Sequence, residues 1–200
     1  TFEEAAELRL AGIAAPILVL SPIDPEVVDA AADWELDVSV FQASRLEAAL
    51  RRKTSRRPIR VQLKMDTGMN RLGIRERAEF EAMLPLLKAA DVRVTGVYTH
   101  FATAGRADDG FVRQQFARFR DMRRWLDEAG LPGVPAHCAN SAAAIRFPEL
   151  ALDMVRVGAA LYGIVPLDAE VARTAAIRLQ PTLSVVTSVV HVKRLGPGES

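Results

Sequence analysis

Short, nearly continuous apolar runs alternate along this chain with longer stretches in which apolar positions recur at helical spacing. The first pattern is that of strands buried on both faces of a parallel sheet, and the second that of amphipathic helices. Strands are predicted at 16–20, 38–41, 59–65, 92–99, 135–139 and 154–157. Helices are predicted at 2–11, 25–32, 44–52, 78–90, 111–129 and 141–145, with Gly12 and Gly130 closing two of them and Asp24-Pro25 opening another. Strict βα alternation implies parallel strands joined by right-handed crossovers, in either a doubly wound sheet or a (β/α)8 barrel. Six strands fall two short of a barrel, and the missing two are expected before Thr1.

The pattern changes near the end. Residues 182–195 are long, β-branched and followed by Pro197-Gly198, with no helix after them. They read as the first strand of a separate β-domain, which divides the chain into 1–166 and 167–200. The chain opens on Thr1 inside a helical pattern and stops at Ser200 without a cap, so both ends are expected to lie within a longer chain.

Charge excludes one class of partner. With 26 basic residues against 25 acidic and a net charge of +1, there is neither the excess nor the stripe of a nucleic-acid binder. The basic run Arg51, Arg52, Lys53, Arg56, Arg57 reads as a solvated helix end. The lone cysteine, Cys138, allows no internal disulfide and fits a reducing compartment. No stretch approaches the roughly 20 apolar residues of a membrane span. A cytoplasmic, non-membrane location is the expectation.

Chemistry in such folds sits where strands end. Four clusters stand there. Lys64-Met65-Asp66-Thr67-Gly68-Met69-Asn70-Arg71-Leu72-Gly73 ends a strand and carries Arg71 on a Gly-framed loop. Its residues either pair locally or hold a guanidinium to grip a carboxylate. His100 ends the run Gly96-Val97-Tyr98-Thr99-His100, as a structural histidine, a base or a ring-stacking partner. His137-Cys138-Ala139-Asn140-Ser141 ends a strand at a small-residue helix, so Ser141 is either a plain N-cap or part of a phosphate site. Neighbouring His137 and Cys138 point to opposite faces and do not make a metal site. Arg156, inside Met154-Val155-Arg156-Val157-Gly158, is the most unusual residue, because a cation within an apolar strand is costly unless paired. Gly158 after it leaves room for close approach of a ligand.

These four motifs, with Leu161-Tyr162-Gly163, resemble alanine racemase in order and spacing, and the likeness runs over nearly the whole chain. The resemblance implies a pyridoxal 5'-phosphate (PLP)-binding (β/α)8 barrel, here about six βα units, followed by the start of a C-terminal β-domain. It implies an isomerase that interconverts L- and D-alanine for bacterial peptidoglycan, as a homodimer with shared active sites. Arg71 then matches the arginine that binds the substrate carboxylate, and Lys64 a lysine that is often carbamylated and orients it. His100 matches the histidine packed at the cofactor ring. Asn140 lies beside the phosphate grip of Ser141 with the backbone of Gly158 and Ala159. Arg156 matches the arginine facing the pyridine nitrogen, and His137 its supporting histidine.

The sequence departs from the family where proton transfer is concerned. None of Lys53, Lys64, Lys88 and Lys193 stands in the context of the cofactor-anchoring lysine, and neither Tyr98 nor Tyr162 matches the opposing catalytic tyrosine. Both bases are expected outside the chain, so these residues alone are expected to be inactive. Alternatives are a non-catalytic PLP-binding module, a racemase of broader amino-acid specificity, or an unrelated phosphate-binding barrel such as an aldolase. The last lacks a catalytic lysine or acid pair here.

Overall fold

A computed structural model describes residues 1–175 and 177–199. Six strands, β1 (Leu18–Pro22), β2 (Asp37–Val40), β3 (Ile59–Lys64), β4 (Val92–Tyr98), β5 (Ala136–Asn140) and β6 (Met154–Arg156), lie in sequence order in one curled sheet, and every pairing is parallel. Helices α1 (Phe2–Leu10), α2 (Val28–Asp33), α3 (Ala43–Arg52), α4 (Arg77–Leu87), α5 (Gly110–Glu128) and α6 (Ser141–Arg146) alternate with them, and α7 (Ala169–Thr174) follows. Each strand pairs only with its neighbours in sequence, as a barrel wall requires and a doubly wound sheet does not.

Local chemistry sets the helix ends. Thr1 and Glu4 cap α1 reciprocally. Asp24 accepts from the Glu26 N–H, and Pro25 opens a single 3-10 turn that runs into α2, so the one helix expected there is split in two. Gly12 and Gly130, at φ of +85° and +77°, turn the chain out of α1 and α5.

The core lies between the sheet and its helices. Leu46, Phe80, Met83, Phe119, Met122 and Leu126 come from the helices and pack with Ile59, Val61 and Leu63 of β3, all essentially without exposure. β2 is buried along its whole length, whereas β1 and β6 leave Leu20 50%, Met154 42% and Val155 40% exposed. The contrast marks the two edges of an unclosed wall. Residues 182–195 join no ladder among the described residues, and Val186 and Val190 are 89% and 97% exposed. A β-branched run becomes a sheet strand only when a partner supplies the facing N–H and C=O groups along its length, and among the described residues no strand does so.

At the opposite end of the wall from the strand C-termini, Asp37 of β2 is 3% exposed and receives Nε and Nη2 of Arg60 of β3, each at 3.2 Å. The Thr95 hydroxyl donates to the same carboxylate. Thr95 itself is an irregularity: Val61 pairs with Val94 and Gln62 with Gly96, so the residue between has no partner across β3. Bulges are rare between parallel strands and frequent next to active sites. Replacing Asp37 by Ala strands a half-buried guanidinium, and we expect a loss of about 3 kcal/mol in urea unfolding of the full-length protein. Asp37→Asn, which keeps an acceptor for Thr95, should lose less.

Candidate active site

The strand C-termini open into a cleft of about 800 Å3 inside the curl of the sheet. Leu18 and Leu20 of β1 bound it on one side and Met154 on the other. Three cations line it, Lys64, Arg71 and Arg156, and its lining includes no carboxylate. A one-signed cleft concentrates the opposite sign, so the ligand it favours is an anion.

Arg156 ends β6, opposite Asn140 of β5. Its Nη1 donates to His137 Nδ1 at 2.5 Å, and Nη2 donates to the carbonyls of Thr99 at 2.6 Å and Cys138 at 3.5 Å. The guanidinium lies 5.1 Å from the centre of the Tyr98 ring, which stacks on His137 at 4.9 Å and 4°. The cation is therefore solvated by neutral acceptors and a ring face, with no counter-charge. Its neighbours carry the cost. Burial, then the charge of Arg156, lowers the His137 imidazole to about 3 and the His100 imidazole to about 4, so both rings are neutral at pH 7.

Lys64 ends β3 and is 7% exposed. Its ammonium donates to the Met65 carbonyl at 3.0 Å and sits 5.4 Å from the Tyr98 ring centre. Burial, then Arg156, lowers it to about 8, while nearby Asp66 resists the shift. Asp66, 6% exposed, turns instead to its own loop and accepts from the N–H groups of Gly68 and Asn70, each at 3.0 Å. The loop closes where Asp66 N–H donates to Ile74 O and Ile74 N–H to Lys64 O, each at 2.8 Å. Arg71 stands exposed on this loop at the cleft, with its charge felt at Lys64. The two are near one another without a direct bond.

His100 follows β4, half-buried, with Asn140 Nδ2 at 3.4 Å from its Nε2. Asn140 is the N-cap of α6 and accepts from the Ala143 N–H at 3.0 Å. Ser141 is thus the first helical residue rather than the cap, and its hydroxyl oxygen accepts from the Gly158 N–H at 3.0 Å and the Ala160 N–H at 3.4 Å. A Cβ at Gly158 would meet no atom of the chain. Ser141, Gly158 and Ala159 all line the cleft. Every residue singled out from the sequence lines the cleft except His137, which lies behind Arg156.

Three residues escaped the sequence reading. The Tyr98 ring centre lies 5.4 Å from the Lys64 ammonium and 5.1 Å from the Arg156 guanidinium, and its hydroxyl is 2.7 Å from Ser39 Oγ. Gln62 reaches His137. Gln115 of α5, with no exposure, accepts from Ala102 N–H and donates to His100 O and Thr67 Oγ1, fastening the loops after β3 and β4 together. The available signal was the same as for Arg156: Ser39 and Gln62 are polar residues within apolar strand runs. Among the described residues no three His, Cys, Asp or Glu side chains gather as a metal site, and no helix is long and apolar enough to cross a membrane. The basic run at the end of α3 is largely spent in ion pairs, with Arg51 on Glu47, Arg52 on Glu26, Lys53 on Asp91 and Arg57 on Glu35.

A parallel α/β barrel wall with a cationic cleft at its strand C-termini defines the class of fold. The chain belongs to the alanine racemase family. The family "Alanine racemase, N-terminal domain" matches residues 1–166. An alanine racemase of Geobacillus kaustophilus is 41% identical across 98% of this chain and 50% of its own length. Alanine racemase 2 of Bacillus subtilis is 36% identical across 96% of this chain and 50% of its own. The crystal structure of alanine racemase from Bacillus anthracis with bound L-Ala-P superposes with a TM-score of 0.84 at 37% identity, covering 90% of this chain and 46% of that one. The E. faecalis alanine racemase does so with 0.84 at 36% identity, over 100% and 53%. The chain thus spans about half the length of the curated relatives it matches.

The loop that carries Arg71 depends on one glycine. Gly73 has φ of +133°, and a Cβ there would lie 2.5 Å from Asp66 N and 2.7 Å from Met65 C. Gly73→Ala must therefore open the loop. The expected cost is about 2 kcal/mol of stability, with faster amide hydrogen exchange at Gly68, Asn70 and Ile74 in the full-length protein.

Proposed function

We propose that the full-length protein is a PLP-dependent alanine racemase interconverting L- and D-alanine, and that this chain supplies its contacts to substrate carboxylate, cofactor ring and cofactor phosphate. The observation that carries the reading is the cleft lined by Lys64, Arg71 and Arg156 and by no carboxylate. Such a cleft matches a ligand pair that brings a phosphate and a carboxylate together. The residues fit PLP: a neutral-solvated guanidinium, a half-buried histidine and a serine-backbone cradle face one space.

When bound, PLP supplies an electron-withdrawing ring that acidifies the substrate Cα–H. The chain's residues do the rest of what is assigned to them. Ser141 with the Gly158 and Ala159 backbone holds the phosphate, Asn140 supports that corner, and His100 packs at the ring. Arg156 would donate to the ring nitrogen and keep its own proton, because a guanidinium does not release one at working pH. A donor that keeps its proton would leave the ring a weaker electron sink than a pyridinium, which suits simple inversion of a stereocentre. His137 holds Arg156. Arg71 binds the substrate carboxylate through two parallel N–H groups.

Lys64 acts through a carbamate. Its unprotonated amine attacks CO2, an N–C bond forms and a proton leaves to solvent, so a cation becomes an anion facing Arg71. With the amine lowered to about 8, the reactive form gains as pH rises through that value. At pH 7 about one amine in ten is neutral, against about one in several thousand for an ordinary lysine.

The two proton-transfer groups belong to parts of the full-length protein outside these residues, one of them from the partner subunit of a homodimer. Residues 1–166 are the barrel portion and 167–200 the lead into a C-terminal β-domain. The 200 residues alone are accordingly inactive. The protein works in the cytoplasm and supplies D-alanine for peptidoglycan.

The test is D-alanine production from L-alanine and PLP by the full-length protein. Arg71→Lys, which loses the bidentate grip, should raise KM at least about tenfold. Ser141→Ala should weaken PLP binding with little effect on KM for alanine. Absence of racemisation by the intact protein rules the reading out. With 13C-bicarbonate, a carbamate signal should grow between pH 6 and 8.5 and vanish in Lys64→Ala; its presence in that variant removes the assignment to Lys64.

A further inference from the structure

We propose that Gln62 is a positioning residue that fixes the protonation of His137 and thereby the aim of Arg156; its consequence for a ring nitrogen rests on the racemase reading, but its action on His137 does not. A guanidinium can only donate, so His137 Nδ1, 2.5 Å from Arg156 Nη1, must be the acceptor. The single proton of a neutral imidazole then sits on Nε2. That N–H is buried and needs an acceptor of its own. Gln62 Oε1 lies 2.8 Å from it. The amide oxygen therefore faces the histidine, so that the acceptor on one ring nitrogen and the donor on the other hold the same tautomer.

The seat for Gln62 is built. The residue is 8% exposed in the middle of β3. Across from it the β4 bulge brings Gly96 into register. A Cβ at position 96 would stand 2.7 Å from Gln62 Cδ and 2.8 Å from Oε1, so no other residue leaves room for the amide. The bulge and the glycine together place a neutral acceptor where the sheet would otherwise be filled.

Neutrality is the point of an amide here. A carboxylate at the same place would hold a second proton on His137, and an imidazolium cannot accept from Arg156. The surroundings of His137 are Arg156 from β6, Gln62 from β3 and the stacked Tyr98 ring from β4, with Lys64 and Asp153 acting through space. Arg156 and Lys64 oppose a second proton, and Asp153 favours one.

The experiment uses full-length protein labelled with 15N-histidine, with the His137 signals assigned by loss in His137→Gln, and two-bond 1H–15N correlation spectra from pH 8 to pH 5. Unaltered protein should show His137 neutral with its proton on Nε2 throughout. Gln62→Leu should lose this single tautomer. Gln62→Glu should raise the pKa of His137 by roughly one to three pH units. Gly96→Ala should reproduce the Gln62→Leu spectrum, because it evicts the amide without touching it. The proposal is overturned if unaltered His137 carries its proton on Nδ1 or is doubly protonated at pH 7, a result that needs no variant to fold. It is equally overturned if both Gln62 variants keep the unaltered spectrum. No cofactor or substrate enters these measurements, so an inactive protein with the expected spectra sinks the racemase reading and leaves this role intact.

Discussion

A guanidinium carried into a sheet has to be solvated by whatever the sheet can offer. At Arg156 the answer is two backbone carbonyls, one imidazole lone pair and the face of a tyrosine, without a single carboxylate. Pairing a buried cation with an acid would satisfy it and also cancel its charge. Neutral acceptors satisfy the N–H groups and leave the charge in place. Much of the surrounding chemistry follows. Arg156 is the second cause, after burial, of the depressed basicity of Lys64, His100 and His137. Two imidazoles are thereby kept uncharged, and the cleft keeps a field that only an incoming anion can relax.

The scaffold that holds this arrangement works from outside the cleft. The register of β5 against β6 sets Asn140 opposite Arg156, and the turn into α6 then puts the Ser141 hydroxyl against the backbone after Arg156. Gln115 reaches inward from α5 and ties the loop bearing Thr67 to the one bearing His100. The Thr99 carbonyl holds Arg156 while its hydroxyl donates to Met65 O, so one residue couples the cation to the loop that presents Arg71. Displacing any of these elements moves several contacts at once, because buried polar networks have few alternative arrangements.

Most of the architecture was legible in the sequence, for reasons that differ by element. The six strands were visible because burial on both faces leaves an uninterrupted apolar run, and their bounds shift by only a few residues in the structure. Arg156 was visible because a charge inside such a run demands an explanation. Gln62 carries the same signal more weakly, since an uncharged amide in a strand often points to solvent. What Gly96 does was not legible at all, because it depends on a register shift between two strands that no single-strand pattern encodes. Residues 182–195 show the opposite failure. Their pattern is that of a strand, yet pattern supplies only half of a ladder, and the other half must come from a partner.

The order of the strands has a kinetic side. Each strand pairs with the next one along the chain, as Asp37 does with Arg60 and Ile59 with Val92, so the wall can grow by one βα crossover at a time. Every group that solvates Arg156 precedes it in sequence: Tyr98, Thr99, His137 and Cys138. During synthesis from the N-terminus the costly cation is therefore the last of the set to emerge. A wall that folds as it is synthesised would meet that charge with its lone pairs already in place.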